Sequence, residues 1–339
     1  MKILIIGSDY TWSIERIYQR ELEALGHEVE LVPVQNMFYD YYYKTVLHKL
    51  IYRVGFSNIL TKINKILLNK VNNEQYDFIW VFKGMEIFPG TLKKLKKRTN
   101  NLINYNPDNP FIFSGKGSGN QNVTKSISLF DLHLTYDAWV KKKIENEFQL
   151  RTEIINFGFD ATTVQDIDLN SEDEVLAVCF LGNPDTYRTR IINLLLKKDI
   201  EVHLYGNNWN KFIKHDLAVI HNPVYGHEFY KILRKYRVQL NIMREHNLNS
   251  HNMRSIEIPG VGGVMLAPAT ADHLSFFNVE HEIFVYHNYL SLAQEVIRIL
   301  TSDKMVIDRL REKARKKVLE QFTYKTQANR ILSLIENVE

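Results

Sequence analysis

The sequence contains a single cysteine, Cys179, in 339 residues. One thiol excludes an internal disulfide framework and fits a reducing compartment. It lies inside VLAVCFLG, where it reads as a small buried hydrophobe ahead of a nucleophile. No apolar run approaches the roughly 20 residues of a membrane span. The opening MKILIIG has one lysine, a short apolar run and no small-residue cleavage site. It does not read as a secretion signal, and the expected location is cytoplasmic. HExxH and GxSxG are missing, and the loop after the first apolar run is GSDYTWS instead of the GxGxxG of a dinucleotide site. GKGSG at 115–119 lacks the ending of a phosphate loop. Glu245, His246 and His251 match no zinc spacing, so no metal site is expected. A net charge of +4 is too mild to argue for nucleic acid.

The 45% hydrophobic and 24% charged residues form an ordinary globular balance, and the length suits two domains. Short β-branched runs alternate with amphipathic stretches. The runs 2–7 (KILIIG), 28–34, 77–83 (DFIWVFK), 102–105, 132–136 and 154–157 read as strands. A helix over 13–26 carries Ile14, Ile17, Leu22 and Leu25 near one face. The polar, aperiodic stretch 160–174 (DATTVQDIDLNSEDE) reads as a linker. The alternation then restarts with VLAVCFLG, VHLYG, AVIHNPV, VQLNIM, VMLAP and IFVYH, and long helices close the chain. This pattern predicts an α/β protein with mostly parallel sheets. Its parts are a domain at 1–159, the linker, a domain at 175–322 and a last helix at 323–339 that returns to the first domain. Two such domains would enclose a cleft. Ligands of open α/β sheets bind outside the carboxyl ends of strands. That rule selects Gly7-Ser8-Asp9, Lys83-Gly84, Asn106-Pro107-Asp108, Gly182-Asn183, Tyr205-Gly206 and Met243-Arg244.

Three stretches offer chemistry. GNPDTYRTR (182–190) joins a strand to a helix, and its helix start with Arg188 and Arg190 suits a diphosphate. The competing reading makes both arginines solvated helix residues. In YGNNW (205–209), Tyr205 and Trp209 either face a base or pack on the core, the commoner fate of aromatics. SHNMRSIEIPGVGGVML (250–266) sets Asn252, Arg254 and Glu257 ahead of Pro259 and three glycines. A carboxylate there can accept two sugar hydroxyls, and an arginine fork suits phosphate. The plainer reading is a helix with a glycine stop.

Between residues 41 and 73 there is no acid, but there are Lys44, Lys49, Arg53, Lys62, Lys65 and Lys70. Leu47, Leu50, Ile51 and Val54, then Ile59, Leu60, Ile63, Ile66 and Leu67, recur at helical spacing. A docked helix pair with a solvated basic face is the favoured reading. Contact with an anionic membrane surface is the alternative.

The order FKGMEIFPGTLKKLKK, NYNPDNPF, LTYDAWVKKKIE, INFGFD resembles the N-terminal half of CgeB-like glycosyltransferases. CFLGNPDTYRTR, LYGNNW, LNIMRE and NMRSIEIPGVGGVML are similar to the C-terminal half, and ARKKVLEQFTYKTQANRIL to the tail. The family belongs with retaining GT-B enzymes, which implies two Rossmann-like domains and sugar transfer from a nucleotide-sugar without metal or other cofactor. It implies a glycan, lipid-linked or protein-linked acceptor and a role in surface polysaccharide synthesis. Glu257 matches the second glutamate of a paired-glutamate motif that grips ribose hydroxyls, and Asn249 stands where the first would be. Arg188 or Arg190, with Arg254, would hold the diphosphate. Asn222, Val224 and Tyr225 fall where the base is expected. Gly182, Asn183, Tyr205, Gly206, Arg244 and Asn252 complete the donor set, and Ser8, Asp9, Gly84, Asn106 and Asp108 the acceptor set. Two other classes share such an architecture, a nucleotide-sugar-binding protein without transfer activity and a sugar-nucleotide epimerase.

Overall fold

Runs of Ile, Val, Leu and Phe too short for helices form the strands of two parallel sheets. The computed structural model describes residues 1–113, 119–169, 173–243 and 250–336. The chain divides into two units, Met1–Asn156 with the chain from Gln327 onward, and Phe157–Thr326.

The first unit contains β1 (Lys2–Ile6), β2 (Glu28–Val32), β3 (Tyr76–Phe82), β4 (Thr99–Tyr105), β5 (Leu132–Thr135) and β6 (Thr152–Ile154). Their order is β2-β1-β3-β4-β5-β6, and every neighbouring pair is parallel. Ile3, Leu4, Ile5 and Ile6 are all fully buried, as expected for a strand covered on both faces. The helix Ile14–Ala24 starts where the Ser13 hydroxyl accepts from the Arg16 N–H. It buries Ile17, Tyr18 and Leu22. The chain leaves it through Gly26, at φ +87°, a left-handed turn that glycine adopts without steric cost. From Gln327 the last helix packs here, with Ile331 and Ile335 buried and the Leu334 carbonyl accepting from Arg151.

The second unit contains β7 (Val175–Leu181), β8 (Val202–Tyr205), β9 (Ala218–His221), β10 (Tyr236–Leu240), β11 (Met265–Pro268) and β12 (Phe284–Tyr286). Read from its β9 edge, the order is β9-β8-β7-β10-β11-β12, again parallel throughout. This is the doubly wound 3-2-1-4-5-6 order, whose direction of winding reverses between its first and fourth strands.

The stretch 160–169, read as linker, is built into this second unit. Val164, Ile167 and Leu169 join Phe159 in its core, and the Asp160 carboxylate caps a short helix by accepting from Thr163. The apolar residues are spaced too irregularly to register as a helix or strand, yet each is buried. Glu174 is also structural. Its carboxylate bridges Arg237 at 2.5 Å and Arg311 at 2.6 Å. Cys179 is buried in β7, and burial raises its thiol well above the ordinary value, so it is no nucleophile.

The basic segment also departs from the favoured reading. Its second helix, Ile59–Lys70, docks through Ile63 and Leu67. Its first, Val46–Arg53, buries no residue. Among the described residues no helix is long and apolar enough to cross a membrane.

Candidate functional site

The two sheets place their strand ends so that each has one crevice where the winding reverses. In the second unit it lies between β7 and β10. Arg188 straddles it, donating to the Asn183 carbonyl at 3.0 Å and to the Ile242 carbonyl at 3.3 Å. The loops that follow the two strands are thereby tied together. The Arg188 guanidinium also lies over the Phe180 ring at 5.2 Å, and the Asp185 carboxylate caps its helix by accepting from the Arg188 N–H. The helix start predicted to receive an anion is therefore already partly filled by an acid. Arg190 is exposed on the same helix.

Gly182 and Gly206 meet across this floor. A Cβ on Gly206 would collide with the Gly182 carbonyl, which also accepts from the Trp209 indole at 2.8 Å. Asn183 accepts from the Asn207 N–H. Tyr205 and Trp209 take the packing fate. Tyr205 stacks on His221 at 4.2 Å and shares a hydrogen bond with the Tyr236 hydroxyl, and Trp209 is fully buried. Asn222 and Tyr225 are exposed, and Val224 packs partly on the core. All three follow the edge strand β9, two strands from the crevice.

The stretch from Ser250 forms the helix with a glycine stop. The helix is Met253–Gly260, with a reciprocal cap between Asn252 and Ser255. Asn252 also donates to Asn241 just after β10, pinning the helix start to the crevice. His251 and Ser250 both bond the Asp272 carboxylate, at 2.7 and 2.9 Å. Burial would raise that carboxyl, but these bonds hold it below the ordinary range. The stop is a left-handed Gly262 at φ +74°, with Gly262 N–H on Pro259 and Gly263 N–H on Ile258, the paired bonds of a Schellman end. Pro259 sits in the last turn, so its missing N–H interrupts a single ladder position.

A Cβ on Gly263 would collide with the Leu233 carbonyl. Gly263→Ala is therefore expected to cost about 1–3 kcal/mol of stability through overpacking, read as a lowered melting temperature. An unchanged melt would show that the backbone there can yield.

One turn into this helix, Arg254 and Glu257 form an ion pair. Glu257 is 7% exposed, and the Arg254 guanidinium lies 4.2 Å from the centre of the Phe229 ring. The arginine is thus fixed by a carboxylate on one side and an aromatic face on the other, an arrangement that Lys could not reproduce. Its buried Nε has no hydrogen-bond partner among the described residues.

The first unit carries a polar cluster at its own reversal, between β1 and β3. Gly7 lets the buried Glu15 carboxylate lie against the strand end, since a Cβ there would sit 2.7 Å from Oε1. Ser8 N–H donates to that oxygen at 3.0 Å. Asp9 N–H donates to Asn36, and the Asp9 carboxylate pairs with Arg16 at 2.8 Å. After β3, Lys83 takes the left-handed backbone at φ 58°, followed by Gly84 at 89°. Such strain in a non-glycine residue recurs at functional sites. Lys83 reaches Asp108 at 2.7 Å, and Asn106 accepts from the Asp108 N–H. Ser8, Asp9, Gly84, Asn106 and Asp108 therefore all stand at the ends of the adjacent strands β1, β3 and β4.

Lys83 belongs to this cluster, as do Glu15 and Glu86, two buried acids that escaped the sequence reading. Burial pushes the Glu86 carboxyl up to about 7. It raises Glu15 more than the Ser8 N–H and the charge of Lys83 lower it. Burial would lower the Lys83 ammonium, but Asp108 and Glu15 outweigh it and raise it. Shifted groups of this kind cluster at working sites. Beside them Trp12 is 71% exposed, stacked on Tyr10 at 5.3 Å with rings 3° apart. The signal for Lys83 was the strand-end position, the same rule that selected its neighbours.

Arg244, Asn249, Glu245 and His246 lie outside the described residues. Asp166 and Asp168 have the Asp-x-Asp spacing that can hold a metal, and both are exposed. Ile167 between them is buried in the core. Among the described residues no group of three or more side chains could hold a metal ion.

Residues 188–333 match the model of a family described as glycosyl transferase-like. Solved structures share the fold over nearly the whole chain. A glycosyltransferase from Rickettsia africae superposes with a TM-score of 0.67 at 12% identity, over 99% of this chain and 98% of that one. HepE of Anabaena, solved in complex with UDP-glucose, gives 0.64 at 12% identity, over 100% of each chain. A sucrose-phosphate synthase from Thermosynechococcus elongatus gives 0.64 at 12%, over 100% and 99%. No curated protein matches the chain in sequence. The fold is GT-B, two Rossmann-like units with parallel sheets. Glycosyltransferase structures share this fold, and the glycosyl transferase-like match lies within residues 188–333.

Proposed function

We propose that the protein is a CgeB-like enzyme that moves a sugar from a nucleotide-sugar donor to a glycan, glycolipid or protein-linked acceptor, with retention and without metal, in surface polysaccharide synthesis. The observation that carries this reading is the Arg254–Glu257 pair. It stands on a buried helix pinned to the end of β10, inside the glycosyl transferase-like segment. The UDP-glucose bound by HepE, at the same fold, supports a nucleotide-sugar donor.

In this reading Glu257 accepts the ribose hydroxyls while Arg254 and Arg190 face the diphosphate. Arg188 acts as a positioning residue, since its donors hold the two crevice loops. Gly182, Asn183 and Gly206 form the floor, and Asn222, Val224 and Tyr225 the base end. Arg244 and Asn249 remain assigned to the donor on the resemblance alone. In the transfer, the bond from the anomeric carbon to the diphosphate oxygen breaks and its electron pair leaves on that oxygen. The acceptor hydroxyl oxygen bonds to the same carbon and its proton passes to the departing diphosphate. The arginines stabilise the charge that develops there. The acceptor is received by the first unit at Ser8, Asp9, Gly84, Asn106 and Asp108, with Lys83 and the exposed Trp12 beside them.

A thermal-shift panel of UDP-, GDP-, dTDP- and CMP-sugars tests the donor. Stabilisation grows with ligand concentration over its dissociation constant, so one base should raise the melting temperature well above the others. No shift with any of them would overturn the reading. A shift without turnover or epimer formation would leave a binding protein, and epimer formation without acceptor would point to an epimerase.

A further inference from the structure

The helix Val46–Arg53 buries none of its residues. Val46, Leu47, Leu50 and Val54 follow the i, i+1, i+4, i+8 spacing of one helical face. They are 82, 61, 56 and 55% exposed, and Phe56 just beyond is 85% exposed. Scattered exposed apolar residues are ordinary, but a contiguous set marks an interaction surface. The helix is held from its other side. Tyr52 packs edge-on against Phe38 at 4.9 Å and Tyr42 at 5.6 Å, and His48 packs against Tyr41 at 4.7 Å. Holding the helix by that side leaves the apolar face outward.

Charge decides what that face fits. From residue 41 to 73 the chain carries Lys44, Lys49, Arg53, Lys62, Lys65 and Lys70 and no acid. Lys49 lies over the ring of Tyr43 at 4.5 Å, and Tyr43 is itself 63% exposed. A second copy docking on this face by two-fold symmetry would bring like charges together. We propose that this face docks on an anionic lipid surface. Leu47, Leu50, Val54 and Phe56 enter the boundary between headgroups and acyl chains, and the lysines and Arg53 meet the lipid charge. The proposal does not depend on the transfer reaction.

Co-sedimentation of the full chain with vesicles tests it. Binding is expected to phosphatidylcholine vesicles that contain phosphatidylglycerol, weakly or not at all to phosphatidylcholine alone, and to fall as salt rises. L47E/L50E is expected to reduce partitioning by about tenfold or more, and K49E/R53E to reduce it on anionic vesicles only. Because these side chains are exposed, both variants should melt like the parent, which separates loss of docking from loss of fold. Equal binding to both vesicle types, no binding to either, or double variants that bind like the parent would each overturn the proposal. So would sedimentation showing a dimer that L47E/L50E dissociates, since the occupant would then be a second copy.

Discussion

Glu257→Ala is expected to lower kcat/KM for the nucleotide-sugar about a hundredfold or more while the fold survives. Two effects combine. The carboxylate proposed to accept the ribose hydroxyls is lost, and a polar contact made in a water-poor site is worth far more than one in solvent. Its partner is also released. Arg254 is held between Glu257 and the Phe229 ring, so without the carboxylate the guanidinium turns on a single support. A ligand group displaced by about 1 Å can cost as much again in rate. Initial rates of transfer, or of donor hydrolysis, measure the effect. Glu257→Gln keeps an acceptor oxygen without the charge, so it should fall between the parent and alanine. Parent-like turnover in Glu257→Ala would falsify the assignment.

Glu174→Ala is expected to be the most destabilising of the variants considered, by about 3–5 kcal/mol, the usual cost of stranding a buried ion pair. Arg237 and Arg311 are 4% and 7% exposed, and one carboxylate serves both. Its removal leaves two buried cations side by side, Arg311 with Asp308 at 3.3 Å and Arg237 with the Ser302 carbonyl at 2.9 Å. A urea or thermal melt measures the loss, and a variant within about 1 kcal/mol of the parent would show that water enters to replace the carboxylate. The same contact has a pH signature. Burial alone would raise the Glu174 carboxyl, but the Arg237 hydrogen bond and the Arg311 charge hold it below its ordinary 4.5. A folded pKa below the unfolded one means the stabilisation is complete above about pH 4.5 and fades as pH falls through the lower folded value. The gap in stability between the parent and Glu174→Ala should therefore narrow in acid.

Strands such as β1, β3 and β7 were legible because each is a largely continuous apolar run, the mark of a parallel sheet covered on both faces. Their ends were legible too, and the strand-end rule picked out Ser8, Asp9, Lys83 and Asn106 before any geometry. Packed loops were not legible. Phe159, Val164, Ile167 and Leu169 stand among polar neighbours with no period, and only the second core shows why they are apolar. Buried acids were hidden for a related reason. Glu15 opens a helix and Glu86 stands in the loop two residues after Gly84, positions where a solvated acid is the ordinary expectation. Nor could spacing separate the three arginines. Arg188 is turned inward by the carbonyls of Asn183 and Ile242, Arg190 faces solvent, and Arg254 is stacked on Phe229.

The helix Val46–Arg53 carries one more implication. The aromatic contacts of Tyr52 with Phe38 and Tyr42 and of His48 with Tyr41 hold it to the first unit. None of Val46, Leu47, Leu50, Val54 and Phe56 is buried against the described residues. Polar residues at those five positions would fold as well and dissolve better. Whatever holds them apolar acts on the finished molecule, at its surface, and not on the way to it.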